Sequence, residues 1–148
     1  PFITTTTCTV GRRRTTVKLL ADTSALLALV IQDDRNHAAA ARFARDNPQA
    51  RFVMTELILA EVATRVRVRA SADRAVALAR DLMRSRRYEI VFVEARLLDG
   101  ALDRMAKFSD KRLSLTDCAS FEIIDRLGLD GAFSFDRDFR DCGFPMVP

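Results

Sequence analysis

Residues 113–139 read LSLTDCASFEIIDRLGLDGAFSFDRDF, and the first half of this stretch predicts a helix with an acid at its start. Ser114 and Thr116 provide a polar cap, and Asp117 lies where the helix should begin. Apolar side chains follow at helical spacing. Gly128 then ends the helix, since glycine readily adopts the left-handed conformation found there.

The second half of the stretch predicts a buried strand that leads to further acids. Residues 132–135 form the strand, and Asp136 and Asp138 follow at its carboxyl end. In an α/β layer a helix start and a strand end can lie close together. We therefore expect Asp117 and Asp136 to be neighbours.

The length and composition of the chain indicate a single soluble domain. The chain has 148 residues, of which 49% are hydrophobic and 30% charged, and its formal net charge is +4. This length allows a real core, and no apolar run is long enough to cross a membrane. Cys8, Cys118 and Cys142 are odd in number and lack CxxC spacing, which argues against a disulfide scaffold or zinc site and favours a reducing cytoplasm.

The charge is unevenly distributed along the chain. Residues 1–16 lack an amphipathic period and predict a flexible basic leader, whereas residues 17–148 read as one domain. Within that domain, residues 65–87 hold eight arginines against two aspartates. Such an excess suits a polyanion or an acidic protein partner, although a solvated helical face is the simpler alternative.

Asp22 follows a short apolar run, residues 17–21, that predicts a buried strand. Thr23 and Ser24 come next and cap a helix. An acid between a buried strand and a helix start occupies the usual ligand position of open α/β sheets. The alternative is that Asp22 only caps the helix.

Glu61 lies in the apolar run of a helix that Thr55 caps. Burying a glutamate is costly unless it is paired or bound to a metal. Arg65 and Arg69 follow at i+4 and i+8, so all three share one helix face. The alternatives are an ion pair on a solvent face, or a metal ligand beside arginines that meet phosphates.

Strands and helices alternate along the whole domain, which predicts a parallel sheet covered on both faces. Leu102 and Leu127 are expected to face inward from their helices. Residues 141–143 are expected to form a turn. The further predicted strands comprise residues 50–54, residues 88–93 and, at an edge of the sheet, residues 144–147.

Four acids without a histidine or cysteine partner favour a hard cation such as magnesium or manganese. His37, the only histidine, lies on an alanine-rich helix in surroundings typical of plain surface. No phosphate-binding glycine loop is present. Metal ions held by carboxylates activate water and stabilise displacement at phosphorus, so together with the arginines the acids favour phosphodiester hydrolysis.

Four motifs carry a resemblance to a known family: LLADTSALLAL, TELILAEVATR, LSLTDCAS and FSFDRDF. From residue 17 to the last residue, the chain resembles the PIN domain, and most closely the VapC-type toxins of bacterial toxin–antitoxin pairs. The resemblance implies a three-layer α/β/α sandwich with a five-stranded parallel sheet in strand order 3-2-1-4-5. It also implies an Mg²⁺- or Mn²⁺-dependent ribonuclease that is usually a homodimer and is restrained by a cognate antitoxin.

The same resemblance assigns roles to individual residues. Ser24 and Thr116 are implied as supporting hydroxyls, and Asp138 either assists the metal or only structures its turn. Arg65 and Arg69 remain the candidates for RNA contacts. The implied metal ligands and catalytic acids are Asp22, Glu61, Asp117 and Asp136.

Two other functions remain open: a non-catalytic PIN-like domain that binds a protein, and a nuclease of the same superfamily that acts on DNA. The complete acid set argues against the first, because a degenerate member would usually lack one acid. The short chain argues against the second.

Overall fold

A five-stranded sheet forms the centre of the fold in the computed structural model, which describes residues 16–148. The prediction of a flexible leader in residues 1–16 therefore falls, except for Thr16, outside the described residues. The strands are β1 (Lys18–Ala21), β2 (Arg51–Thr55), β3 (Tyr88–Val91), β4 (Gly131–Phe133) and β5 (Met146–Val147).

The strand order is β3-β2-β1-β4-β5, and every neighbouring pair is parallel. The order expected from the resemblance is thus confirmed. Leu20 of β1 lies in register with Val53 on one side and with Ala132 on the other. All three side chains are fully buried, as expected for the central strands of a sheet covered on both faces.

Helices connect the strands and cover the sheet. The first three connections each carry two helices and the last carries one, so each strand returns parallel to its predecessor. The helices are α1 (Thr23–Val30), α2 (His37–Asp46), α3 (Glu56–Arg69), α4 (Ala72–Arg84), α5 (Ala95–Lys107), α6 (Leu115–Leu127) and α7 (Arg137–Asp141). Among residues 16–148, no helix combines the length and hydropathy that a membrane crossing requires.

Aromatic side chains join the helices to the sheet. The ring of Phe133 on β4 lies 5.0 Å from that of Phe43 on α2 and 5.5 Å from that of Phe52 on β2. Phe121 on α6 meets Phe139 on α7 edge to face at 5.0 Å. Burial of each such side chain contributes about 1.5–3 kcal/mol, so these contacts fix α2 against the sheet and α7 against α6.

Two glycines set the geometry around β4. Gly128 ends α6 with a φ of 59°, and its N–H donates to the carbonyls of Ile124 and Asp125. The predicted helix end is therefore correct. At Gly131, a Cβ would lie 2.5 Å from the carbonyl oxygen of Pro145, so only glycine lets the chain before β5 approach this closely.

The structure differs from the sequence expectations near the carboxyl end. β4 ends at Phe133, and α7 begins soon after, just ahead of the predicted turn. Phe139 is fully buried against Phe121 and anchors this short helix. One buried residue in five gives no periodic signal, which is why the helix was missed.

Two leucines expected to face inward are substantially exposed. Leu102 on α5 and Leu127 on α6 each expose 47% of their surface. α5 buries a narrower apolar stripe than expected, since only Leu97 and Ala101 are buried on it. Leu127 ends its helix, where the chain turns away at Gly128.

Candidate active site

Asp22 connects β1 to α1 and is almost completely buried, with 6% of its surface exposed. Its Oδ2 accepts hydrogen bonds from the Ser24 N–H at 3.1 Å, from the Ser24 hydroxyl at 2.6 Å and from the Ser134 hydroxyl at 2.9 Å. Burial raises the pKa of Asp22 above its ordinary value, and the hydrogen bonds from Ser24 and Ser134 oppose this rise. The carboxylate is therefore fixed in place by its neighbours.

Two hydroxyls link Asp22 to the segment after β4. The Ser134 hydroxyl accepts from the Asp136 N–H at 3.0 Å, and the Ser24 hydroxyl accepts from the Phe135 N–H at 2.9 Å. Asp136 is the N-cap of α7, because its Oδ1 accepts from the Asp138 N–H at 3.0 Å. Since β1 and β4 are neighbours, this network sits where the winding of the sheet reverses, the usual ligand site of open sheets.

Glu61 approaches the same edge from α3. It is half-buried, and its Oε2 accepts a hydrogen bond from the Thr23 hydroxyl at 2.8 Å. Because Thr23 directly follows Asp22, this contact places Glu61 beside the carboxyl end of β1.

Asp117 approaches from the start of α6, where it forms a capping box with Ser114. Its Oδ2 accepts from the Ser114 N–H at 2.8 Å and from the Ser114 hydroxyl at 2.7 Å. Burial raises the pKa of Asp117, and the negative charges of Asp136 and Glu61 raise it further. Those two carboxylates are therefore close enough to act on Asp117 electrostatically.

Asp138 lies in the first turn of α7. Burial raises its pKa, as do the negative charges of Asp136, Asp117 and Asp141, while Lys111 opposes the rise. Asp138 thus belongs to the same negative region, and its backbone N–H also fixes the α7 cap. The structure is therefore consistent with both roles expected for Asp138, assisting a metal or only structuring its turn.

The chemistry of the donor set fits a hard cation. In each of the four acids, the hydrogen bonds from residues 16–148 fall on one oxygen, and the other oxygen accepts none from that part of the chain. No three His, Cys, Asp or Glu side chains within residues 16–148 are grouped closely enough to hold an ion directly. Magnesium, however, usually keeps several waters and binds through one or two carboxylates.

The remaining predicted site residues, Arg65, Arg69 and Thr116, differ in the contacts that they make. Arg65 is exposed on α3, one turn beyond Glu61. Arg69 is also exposed, but it pairs with Asp33 at 3.0 Å. The Thr116 hydroxyl makes no hydrogen bond within the part of the chain described here, so its supporting role stays a prediction, while Ser24 does hold an acid.

Two supporting residues were missed from the sequence. The sequence predicts that Ser134 belongs to a buried strand and that Thr23 belongs only to a helix cap. A polar side chain in an apolar buried strand needs a hydrogen-bond partner, and this signal identifies Ser134. Nothing in the sequence indicates that Thr23 meets Glu61, because that contact spans 38 residues.

Comparisons with known proteins agree with this geometry. The family model described as PIN domain matches residues 19–145. Two relatives named 23S rRNA-specific endonuclease VapC20, from Mycobacterium tuberculosis strains CDC 1551 / Oshkosh and ATCC 25618 / H37Rv, are each 30% identical over 130 residues. The alignment covers 87% of this chain and 97% of each relative.

Two solved structures have a similar fold. The crystal structure of Mycobacterium tuberculosis VapC20, a Sarcin-Ricin loop cleaving toxin, matches with a TM-score of 0.79 and 27% identity, over 86% of this chain and 96% of that one. A toxin–antitoxin complex from Klebsiella pneumoniae matches with a TM-score of 0.61 and 15% identity, over 88% and 96%. At that identity, the second match bears on the fold alone.

Proposed function

The chain belongs to the PIN domain family, and from this membership we propose that it is a metal-dependent endoribonuclease, the toxin of a type II toxin–antitoxin pair. The observation that carries the proposal is that four carboxylates lie around the carboxyl edge of the sheet, and each has one oxygen that accepts no hydrogen bond from residues 16–148. The relatives named 23S rRNA-specific endonucleases support RNA as the substrate. We also propose a cytoplasmic location, because the substrate named for the relatives is a ribosomal RNA.

The residues that would hold Mg²⁺ or Mn²⁺ are Asp22, Glu61, Asp117 and Asp136. When bound, such an ion activates water and stabilises the charge that develops on the phosphate. Ser24 and Ser134 hold Oδ2 of Asp22, so that its other oxygen keeps a fixed direction. The raised pKa of Asp117 means that cation binding competes with a proton there, so cation affinity should rise with pH.

Arg65 is the residue best placed to meet substrate phosphates beside Glu61. It is exposed and pairs with no carboxylate among residues 16–148. Arg69 contributes less, because its guanidinium is already engaged by Asp33. We assign RNA binding to both, with the larger effect at Arg65.

A cognate antitoxin is the second proposed partner. A groove of about 650 Å³ lies between the end of α1 and the helices α3 and α4. Val30, Val66 and Leu78 give it apolar walls, and Arg74 adds positive charge, whereas Arg69 is paired with Asp33 in the same lining. An antitoxin segment with apolar and acidic side chains would complement this groove.

We also propose a homodimer that uses α3 and α4. Val68 exposes 83% of its surface, and Met83 exposes 62%. Val76 is exposed as well, and it lies seven residues before Met83, on the same face of α4. Exposed apolar side chains grouped in this way are typical of protein interfaces.

The test is cleavage by the purified protein, with RNA and DNA in parallel and with Mg²⁺ or excess chelator. We expect RNA cleavage that requires the metal. Cleavage of DNA alone would favour the DNA nuclease. Failure to cleave any RNA, including RNA still assembled in ribosomes, would favour the protein-binding domain.

A further inference from the structure

The amino edge of the sheet carries an arginine cluster that the proposed active site does not use. We define the amino-edge cluster as Arg51, Arg86 and Arg87. Arg51 is the first residue of β2, and the other two directly precede β3. These residues line a pocket of about 300 Å³ together with Lys18 and Glu89.

This cluster lies at the opposite end of the sheet from the acids. In a parallel sheet, the amino ends of all strands meet at one edge and the carboxyl ends at the other. Lys18 starts β1 and Asp22 follows its end. The backbone at the two edges is therefore separated by about 13 Å, so the cluster cannot contact the phosphate that reacts at the acids.

Two of the three guanidinium groups, those of Arg51 and Arg87, are held in place but remain available. Arg51 Nη1 donates to the carbonyl of Arg86 at 2.7 Å. Arg87 donates from Nε to the carbonyl of Ala50 at 3.4 Å and from Nη2 to that of Asn47 at 3.0 Å. Each guanidinium has five N–H donors, so Arg51 and Arg87 both keep unused donors. Because their side chains are already ordered, they would lose little conformational freedom on binding a phosphate.

The charge of the cluster is uncompensated. Lys18 pairs with Glu89 at 2.9 Å, so these two neutralise each other. None of the three arginines pairs with a carboxylate among residues 16–148. Fixed guanidinium forks match the geometry of phosphate oxygens, with which they form charge-assisted, often bidentate, hydrogen bonds.

We propose that the amino-edge cluster is a second binding site for RNA. It binds backbone phosphates of the substrate at a position distant from the cleavage site. This inference rests on the proposed function. If the substrate is RNA, which is a polyanion, the occupant of the cluster is RNA and not an acidic protein. A large folded RNA presents phosphates on several sides of a bound protein. Two linked contacts raise overall affinity because the second forms at a high effective concentration.

The experiment compares the double variant Arg51→Ala/Arg86→Ala with wild type on two RNA substrates. One is a large folded RNA, and the other is a short single-stranded RNA that reaches only the carboxyl edge. Arg87 is left intact, because it supports the chain before β2. The matched control is Arg42→Ala/Arg96→Ala, which removes the same charge from exposed positions on α2 and α5.

For the large RNA, we expect KM to rise about tenfold or more in the double variant with kcat unchanged, as the loss of charge-assisted hydrogen bonds implies. The salt dependence of its binding should also fall, by roughly one unit of slope per lost phosphate contact. The short RNA should be cleaved as by wild type, and the control should match wild type on both.

Equal losses on both substrates, or equal losses in the control variant, would overturn the proposal. So would unchanged behaviour on the large RNA. Loss of antitoxin binding with RNA binding intact would show a protein site instead. If wild type cleaves no RNA, the proposed function fails, and binding of the large RNA to the same variants still decides whether the second site exists.

Discussion

Replacing Asp117 by Asn tests whether the acids crowd one another in the metal-free protein. The substitution keeps the shape of the side chain and removes its charge. Burial, Asp136 and Glu61 all raise the pKa of Asp117, which means that the folded state disfavours its charged form. We expect the variant to lose cleavage and yet to melt at a higher temperature than wild type without metal.

The size of the effect follows from opposing contributions. Two unit charges 8 Å apart repel by roughly 2 kcal/mol at an effective dielectric of 20, and by roughly 0.5 kcal/mol in water. Asp117 is half-buried, and the negative charges of Asp136 and Glu61 both act on it, so relief of about 1–3 kcal/mol is expected after allowance for solvent screening.

The variant also loses part of a helix cap. Oδ2 of Asp117 accepts two hydrogen bonds from Ser114 at the start of α6. Removing a charge from a helix N-terminus costs about 0.3–1 kcal/mol, and a weaker capping bond costs about 0.5 kcal/mol more. The net gain of about 1 kcal/mol should raise the Tm by about 3 °C in a domain of this size.

The difference in stability between wild type and Asp117→Asn should depend on pH. Because the folded-state pKa of Asp117 lies above the ordinary value of 3.8, the native state binds the proton more tightly than the unfolded state. The free energy of unfolding of wild type therefore falls as pH rises from the unfolded pKa to the folded pKa, and is constant above it. The advantage of the variant should grow over this interval and should be absent at lower pH.

The assay is thermal melting of both proteins at several pH values, with and without Mg²⁺. Metal should stabilise wild type more than the variant, because it binds only the native site. Asp73→Asn is the matched control, because Asp73 also lies in the first turn of a helix, α4, and is exposed. A metal-free Asp117→Asn that melts below wild type at neutral pH, by as much as the control, would make Asp117 a structural cap.

The remaining predictions concern the metal, the arginines and association. Cleavage should need Mg²⁺ or Mn²⁺ and should stop in excess chelator; full activity in chelator, or a requirement for zinc, would contradict the all-oxygen site. Arg65→Ala should weaken RNA binding and lower its salt slope by about one in fluorescence anisotropy, whereas Arg67→Ala on another face of α3 should not. Antitoxin affinity should be measured on the same proteins. Met83→Asp should convert a dimer to a monomer by light scattering at micromolar concentration, and a monomeric wild type would contradict the proposed interface.

The sequence predicted the sheet and the convergence of its acids well, because both follow from strong local patterns. Buried strands read as continuous apolar runs, and an acid directly after one is placed by topology alone. The contacts that hold the acids were harder to predict. Ser134 and Thr23 act across 112 and 38 residues. Local sequence can mark Ser134 as a polar residue that needs a partner, but it does not say which residue either of them contacts. The pairing of Arg69 with Asp33 was missed for the same reason.

For Asp22 the sequence left two alternatives, a helix cap or a metal ligand, but the structure shows that these roles are compatible. Asp22, Asp117 and Asp136 all accept hydrogen bonds from backbone N–H groups at the starts of α1, α6 and α7. Each uses one oxygen for this purpose and leaves the other free. The positive ends of three helices therefore offset part of the repulsion among the acids, by about 0.3–1 kcal/mol each. Hydrogen bonds from these helix starts therefore hold one oxygen of each acid, and the proposed cation would bind the other.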